Sequence, residues 1–443
     1  MKKVAFHNLG CKVNAYEMEL MQQNFRENGF DIVPFGERAD IYIINTCTVT
    51  NIADRKSRQM LHKAKSLNKD AIVVAAGCYV ETDRERALKD ESIDIIVGNK
   101  DKKDILNIIW NYIREREDSG KEGECPYSVY ETVSSLTDHT RAYIKVQDGC
   151  DQYCSYCIIP FSRGHVISRN EEETLKEIRE LAEDGCREFV ITGIHLSSYG
   201  LDMPYNTVAK DGSYHNEALT VLIEKAALIP GVRRIRLGSL EPRIITCEFL
   251  ARMRALDCFC PHFHLSLQSG SNEVLKRMNR RYDVEEYEQK TELIRKYFDH
   301  PAITTDIIVG FPGETEEEFK ETRDYLNRID FYEAHIFAYS RRKGTVADGM
   351  KDQLTRNQKS ERSAFLLKDS AIRKKRFMEY YMGRKETILV EETVEIDGRP
   401  YLVGYNKEYV KCGFCKEGDT GSSGSFMEGT VKGFINDDML LLV

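Results

Sequence analysis

The sequence predicts an α/β protein in three parts: an amino-terminal α/β domain with a largely parallel sheet, a central α/β barrel, and a small carboxy-terminal antiparallel β-barrel. Three observations predict it. Short apolar runs alternate with amphipathic helical stretches over the first hundred residues. The same alternation returns from about residue 141 to residue 350. After residue 385 it gives way to short strands punctuated by Asp-Gly turn signals.

In the first part the strands are Lys3 to Asn8, Ala39 to Asn45, Ala71 to Ala76 and Asp94 to Val97, with helices over Glu17 to Asn28 and Ala53 to Ser66. From Arg114 to Thr140 the pattern dissolves into Glu, Asp, Ser and Gly, including Asp118-Ser119-Gly120, which reads as a linker. Six strand candidates follow: Ala142 to Val146, Glu188 to Thr192, Arg233 to Leu237, Phe263 to Leu267, Ile303 to Val309 and Tyr332 to Ala338. Helices such as Glu171 to Asp184 and Glu316 to Arg328 separate them, as in a complete or partial parallel barrel, although periodicity alone does not exclude an open sheet. Thr355 to Met382 is one long helical pattern crowded with cations. Thr387 to Val390, Tyr401 to Tyr405 and Glu428 to Phe434 are barrel strands separated by Asp397-Gly398 and Asp419-Thr420-Gly421. The domains are therefore 1-115, a linker 116-140, 141-375 and 376-443.

A chain of 443 residues with 41% hydrophobic positions can bury a sizeable core. Its net charge of -8 argues against coating nucleic acid through bulk positive charge. No apolar run reaches membrane-spanning length, and Val4 to His7 is too short for a signal-peptide core, so a cytoplasmic location is expected. Thirteen cysteines in such a compartment point to metal or cluster ligation rather than to disulfides.

Cys150, Cys154 and Cys157 place three thiolates within one short segment after the Ala142 to Val146 strand. They can hold three corners of a 4Fe-4S cluster and leave one iron open. The alternative is zinc, for which His165 would have to be the fourth ligand. Cys11, Cys47 and Cys78 share a position instead of a spacing, since each follows a strand of the first domain. Carboxyl ends of neighbouring parallel strands face one crevice, so these three can converge. Cys125, Cys186, Cys247, Cys258 and Cys260 read as packing residues, and Cys412-Gly-Phe-Cys415 has a redox-like form inside a strand.

The Cys150, Cys154, Cys157 motif, with Tyr156 before its last cysteine, resembles the radical S-adenosylmethionine (SAM) signature. With Leu9-Gly10-Cys11-Lys12-Val13-Asn14, Asn45-Thr46-Cys47-Thr48-Val49-Thr50 and Gly77-Cys78, the whole chain resembles the radical SAM methylthiotransferase family, MtaB type. That resemblance implies a radical-SAM partial barrel in the centre and a TRAM-like barrel at the end. It implies addition of a methylthio group to carbon 2 of N6-threonylcarbamoyladenosine at position 37 of tRNA. It also implies two 4Fe-4S clusters, one on Cys150, Cys154 and Cys157 and one on Cys11, Cys47 and Cys78, two equivalents of SAM per turnover, and an electron donor such as flavodoxin or ferredoxin. Tyr156, Gly193, Glu241, Gln268 and Arg280 are the implied SAM contacts, although Glu241 and Arg280 could equally form an ion pair at the barrel mouth. The alternatives of the same family are isopentenyladenosine-37 of tRNA and an aspartate of a ribosomal protein; a non-catalytic iron-sulfur tRNA-binding protein is more remote.

For RNA contacts the candidates are Arg55, Lys56, Arg58 and Lys63, the cations around Arg373 to Arg376, and Tyr401, Tyr405, Tyr409 and Phe414. The opposing reading is a solvated helix face and ordinary barrel core.

Overall fold

The computed structural model describes residues 2–116, 125–134, 140–203, 216–415 and 422–443. The Asp118-Ser119-Gly120 stretch and the Asp419-Thr420-Gly421 turn lie outside the described residues. The chain divides into two compact units that do not follow its linear order. The first comprises residues 1–135, 148–166 and 340–348; the second comprises 136–147, 167–339 and 349–443.

The first unit is built on a parallel sheet of β1 (Lys3–Asn8), β2 (Asp31–Val33), β3 (Ile41–Thr46), β4 (Ile72–Gly77) and β5 (Ile95–Val97), in the order β2-β1-β3-β4-β5. Every residue of β3 is buried, as a central parallel strand covered on both faces requires. Separate apolar clusters cover the faces, one around Phe25, Ile43 and Val74 and one around Tyr42, Leu61 and Val73. The three-residue β2 carries too short a signal for the sequence to show it. Helix α1 (Lys12–Glu27) begins five residues earlier than its apolar pattern, because polar Asn14 is buried to bond the backbone of Leu9 and Thr46. Helix α2 (Asn51–Leu67) follows β3, capped by Thr50 accepting from the Ala53 amide.

The described part of the connection after residue 116 is tied down. Asn28, Asn24 and Gln23 on α1 hydrogen-bond the backbone of Ser128, Tyr130 and Thr132, holding it as an extended strap.

In the second unit β6 (Arg141–Asp148, whose last residue belongs to the first unit), β8 (Glu188–Gly193) and β9 (Arg234–Leu237) pair in parallel, with the short β7 (Ile167–Ser168) at the edge of β6. Single parallel bridges at Ile235–Phe259 and Leu240–Leu265 continue this sheet toward β10 (His262–His264), which pairs with β11 (Ala302–Val309) and then β12 (Glu333–Ala338). Among the described residues β12 and β6 do not pair, so the barrel is partial and open on one side. The strand expected over Phe263 to Leu267 stops at His264, because its continuation makes only isolated bridges.

The long helix Arg356–Glu379 then leads to a closed barrel of β13 (Lys385–Ile396), β14 (Arg399–Tyr405), β15 (Lys411–Cys415), β16 (Phe426–Asn436) and β17 (Met439–Leu442). Its pairs are antiparallel except β15–β17. Asp397 and Gly398 both take positive φ in the two-residue β13–β14 turn, the conformation for which Asp-Gly is favoured.

Candidate functional site

β1, β3 and β4 are neighbours, with Asn8 opposite Asn45 and Thr46 opposite Gly77. Cys11, Cys47 and Cys78 therefore leave the same end of three adjacent strands, Cys11 as the N-cap of α1. Cys11 is exposed, whereas Cys47 and Cys78 are buried. Burial pushes the Cys47 thiol up to about 11, and the charges of Cys78 and Cys11 add to the rise, so the three sulfurs feel one another. The loops are fastened together. Asn45 donates to the Asn14 carbonyl at 3.0 Å, Thr46 Oγ1 donates to Ala76 at 2.6 Å, and Ser57 donates to the Cys47 carbonyl at 3.1 Å. Gly10 has φ +113°, and a Cβ there would lie 3.2 Å from Cys47 Sγ. A side chain would fill the space beside the thiol.

The Cys150–Cys157 segment follows β6 and belongs to the first unit. The Cys157 amide donates to the Cys154 carbonyl at 2.9 Å, and the Cys150 amide to Gly164 at 3.0 Å. Gly149 passes so close to this return that its Cβ would strike His165 O at 1.8 Å. His165, offered as a fourth zinc ligand, bonds Asp151 at 2.6 Å with its ring 79% exposed.

Both cysteine sets thus stand in one compact unit, and specific side chains join their loops. Buried Arg163 donates to Glu17 at 2.9 Å, Asn14 at 2.7 Å and Asp148 at 3.0 Å. Asn99 lies 3.6 Å from Cys78 Sγ and donates to the Ser162 carbonyl at 2.8 Å. The returning segment 340–348 grips both: Arg342 reaches Asp54 at 2.6 Å and Thr48 at 2.5 Å, and the Ala347 amide bonds Ser155 O at 2.7 Å. The links Asn99–Ser162, Arg163–Asn14 and Arg342–Thr48 are not visible in the sequence, because each joins residues more than sixty positions apart through a polar group with no periodic signature.

A donor set of thiols alone, on loops kept close by glycine and hydrogen-bonded backbone, fits thiolate-bound iron-sulfur clusters. Burial favours the protonated thiol at Cys47, so loading the Cys11, Cys47 and Cys78 set must release that proton and supply compensating positive charge.

In the second unit Gly193, Glu241, Gln268 and Arg280 lie at or beyond the carboxyl ends of β8, β9 and β10, where parallel barrels bind ligands. A Cβ at Gly193 would strike Gln147 Oε1 at 2.7 Å. Gln268 holds φ +74°, a costly conformation for a residue with a side chain and one that gathers at functional sites. The alternative reading of a Glu241–Arg280 ion pair is not what forms: Glu241 pairs with nearer Arg243 at 2.7 Å, and Arg280 donates to the Tyr282 hydroxyl at 2.7 Å and lies over its ring. Tyr156 belongs to the first unit with its neighbouring cysteines.

The sequence misses His195. It is half-buried beyond β8, bonds Ser198 at 2.6 Å, and its pKa falls to about 3 through desolvation and the charges of Arg280, Arg243 and Arg281. Its position two residues after a strand-end glycine is the signal that could have found it.

The RNA candidates separate sharply. On α2, Arg55, Lys56 and Lys63 are exposed, with Lys63 near the Phe35 ring and Arg58 over Tyr79. On the long helix the cations from Arg362 to Arg376 are paired, among the described residues, with one exception: Arg362 pairs with Glu314 and Glu316, Arg373 with Asn327, Lys374 with Glu333 and Asp438, Lys375 with Asp437, and Arg376 with Asp330, while Lys368, like Arg356 in the first turn, is exposed. Tyr405 and Tyr409 stack at 4.3 Å beneath β6, β8 and β9, where Arg141 and Arg236 cover Tyr409 and Arg234 donates to the Tyr405 carbonyl. These arginines surround fully buried Glu188; burial raises its pKa, but they outweigh that and hold it low. The two rings therefore anchor the small barrel beneath the partial barrel. Tyr401 and Phe414 are half-buried on it. Cys412 is fully buried opposite Gly404, its thiol pushed far up by burial, so the Cys412–Cys415 motif packs a strand.

The profile of the Radical SAM superfamily matches residues 144–326, and that of uncharacterized protein family UPF0004 matches residues 3–98. The chain is 40% identical over 418 residues to threonylcarbamoyladenosine tRNA methylthiotransferase MtaB of Bacillus subtilis (strain 168), covering 94% of this chain and 90% of that protein. It is 38% identical to the protein of the same name from Aquifex aeolicus (strain VF5), covering 88% and 93%. Among solved structures the radical SAM methyltransferase TsrM from Kitasatospora setae superposes with a TM-score of 0.54 at 16% identity, over 76% of this chain and 75% of that one, which is a likeness of fold. Near-full-length identity of this size, together with both domain profiles and the partial barrel, means that the chain belongs to the radical SAM methylthiotransferase family, MtaB type.

Proposed function

We propose that this enzyme adds a methylthio group to carbon 2 of N6-threonylcarbamoyladenosine at position 37 of tRNA. Membership of the family implies a tRNA substrate, one 4Fe-4S cluster and SAM. The finer reading is that Cys150, Cys154 and Cys157 hold the SAM-binding cluster and that Cys11, Cys47 and Cys78 hold a second. The observation that carries it is the gathering of both three-cysteine sets into one compact unit, with Asn99 touching Cys78 and the loop behind Cys157.

Carbon 2 of adenine offers no acidic proton, so acid–base catalysis has nothing to work on. When bound, the clusters and SAM supply the radical chemistry that an unactivated aromatic C–H bond demands. The chain's contribution is placement. Arg163, Arg342 and Asn99 fix the cysteine loops against one another, while Glu241, Gln268 and Arg280 offer a carboxylate, an amide and a cation for the polar groups of SAM. His195 stays neutral and adds no positive charge to the arginines around it. Two equivalents of SAM and a one-electron donor of the flavodoxin or ferredoxin class complete the requirement, and the linear division 1-115, 141-375 and 376-443 is crossed by the helix Arg356–Glu379 and by residues 148–166 and 340–348, which belong with the first unit.

The test is nucleoside mass spectrometry of tRNA from cells with and without the gene. Loss of the 2-methylthio form of threonylcarbamoyladenosine alone is the expected result. Loss of the isopentenyladenosine derivative, or of a modified ribosomal-protein aspartate, assigns one of the other family substrates instead.

A further inference from the structure

The inner wall of the partial barrel carries a polar group that the reaction above leaves unused. Thr305 on β11 turns its hydroxyl to Tyr287 of the outer helix Val284–Tyr297, so by strand alternation Asp306 faces inward, and His335 of β12, opposite it in register, shares that face. His264 on β10 partners Thr304, two residues earlier on the face of Asp306. One imidazole nitrogen from each histidine and one carboxylate oxygen lie within 4.8 Å of one another. His264 Nε2 is 3.2 Å from Asp306 Oδ2, its Nδ1 is 2.9 Å from Thr304 Oγ1, and the two imidazole rings are 5.6 Å apart.

We propose that His264, Asp306 and His335 form a site for a divalent transition-metal cation of the zinc type, separate from both cysteine sets. Two imidazoles and one carboxylate are a donor set that first-row divalent ions accept. The site also has the outer contact such ions need: the Thr304 hydroxyl holds Nδ1 of His264 and turns Nε2 toward Asp306. A cation there replaces the single proton shared between Nε2 and the carboxylate, and His335 closes the third corner from the neighbouring strand. Access is provided by the open side of the wall, where His335 and Phe337 are exposed. Three protein donors leave a coordination position facing the lumen for water or for an oxygen donor of a substrate.

The experiment uses the full chain with its clusters loaded anaerobically, washed with chelator and titrated with Zn2+. The wild type should hold one zinc equivalent more than His335→Ala or Asp306→Asn, with affinity lowered at least about tenfold in either variant. Iron content and cluster absorption should be equal in all three. Zinc-edge X-ray absorption should show nitrogen and oxygen neighbours without sulfur. Equal zinc in wild type and variants, or zinc bound to sulfur, overturns the assignment. Exposed His335 and the isosteric Asp306→Asn change keep folding out of the comparison.

Discussion

The two cysteine sets reach similar groupings of three thiols by opposite routes. Cys150, Cys154 and Cys157 lie within one eight-residue segment, with a turn closed between Cys154 and Cys157. Cys11, Cys47 and Cys78 are spread over 68 positions and share one end of the sheet only because β1, β3 and β4 are adjacent parallel strands. A local set tolerates distant disturbance; a set assembled by a sheet inherits every weakness of that sheet and of the side chains that brace it.

The sharpest way to break this comparison is to remove one ligand from each set. Cys154→Ala should abolish both SAM cleavage and product, whereas Cys78→Ala should abolish product and leave anaerobic SAM cleavage largely intact. Full product from Cys78→Ala sinks the assignment of the second set. Iron and sulfide should fall from about eight to about four per chain when all of Cys11, Cys47 and Cys78 are replaced.

Next in size is Arg163→Ala, which strips buried Glu17 of one partner and should cost about 3–5 kcal/mol in denaturant unfolding. Lys102, 2.5 Å from Glu17, softens the loss, so a Lys102→Ala, Arg163→Ala pair should be distinctly non-additive. Asn99→Ala should lower cluster occupancy or product formation by about 10–100-fold through the Cys78 loop, with little change in unfolding.

A smaller effect separates the two basic helices. Arg55→Glu with Lys56→Glu on α2 should weaken tRNA binding and reduce the salt slope by about one unit per charge removed, while Arg376→Ala on the long helix should change neither. Equal losses from both helices would mean that the paired cations are released to RNA.

A further effect, confined to acid pH, concerns His195. His195 is depressed in the folded state to about 3, so between pH 6.5 and 3 the unfolded chain binds the extra proton and stability falls as pH falls. His195→Gln should flatten that part of the urea-midpoint profile; an unchanged profile would show that the group titrates freely.

Much of this was legible in the chain itself. The alternation of strand and helix gave the α/β architecture, since burial on both faces of a parallel sheet writes continuous apolar runs such as Ile41–Ile44. Cys-x3-Cys-x2-Cys is local chemistry, and Asp397-Gly398 is local backbone preference. Charge was the least reliable guide: the cation-dense long helix looks like an RNA face, yet its acidic partners lie tens of residues away, on the helix Glu316–Ile329, on β12 and at the β16–β17 turn.

By itself the sequence determined what periodicity and spacing encode, which is the element types, the local cysteine motif and the family. Only tertiary structure decided which cations are free, that Tyr405 and Tyr409 anchor the small barrel, that Arg243 rather than Arg280 takes Glu241, and that Arg163, Asn99 and Arg342 brace the cysteine loops. The reason is physical. A polar side chain has many possible partners within hydrogen-bond reach once the chain folds, and which one it takes depends on distances between segments that the local pattern leaves open.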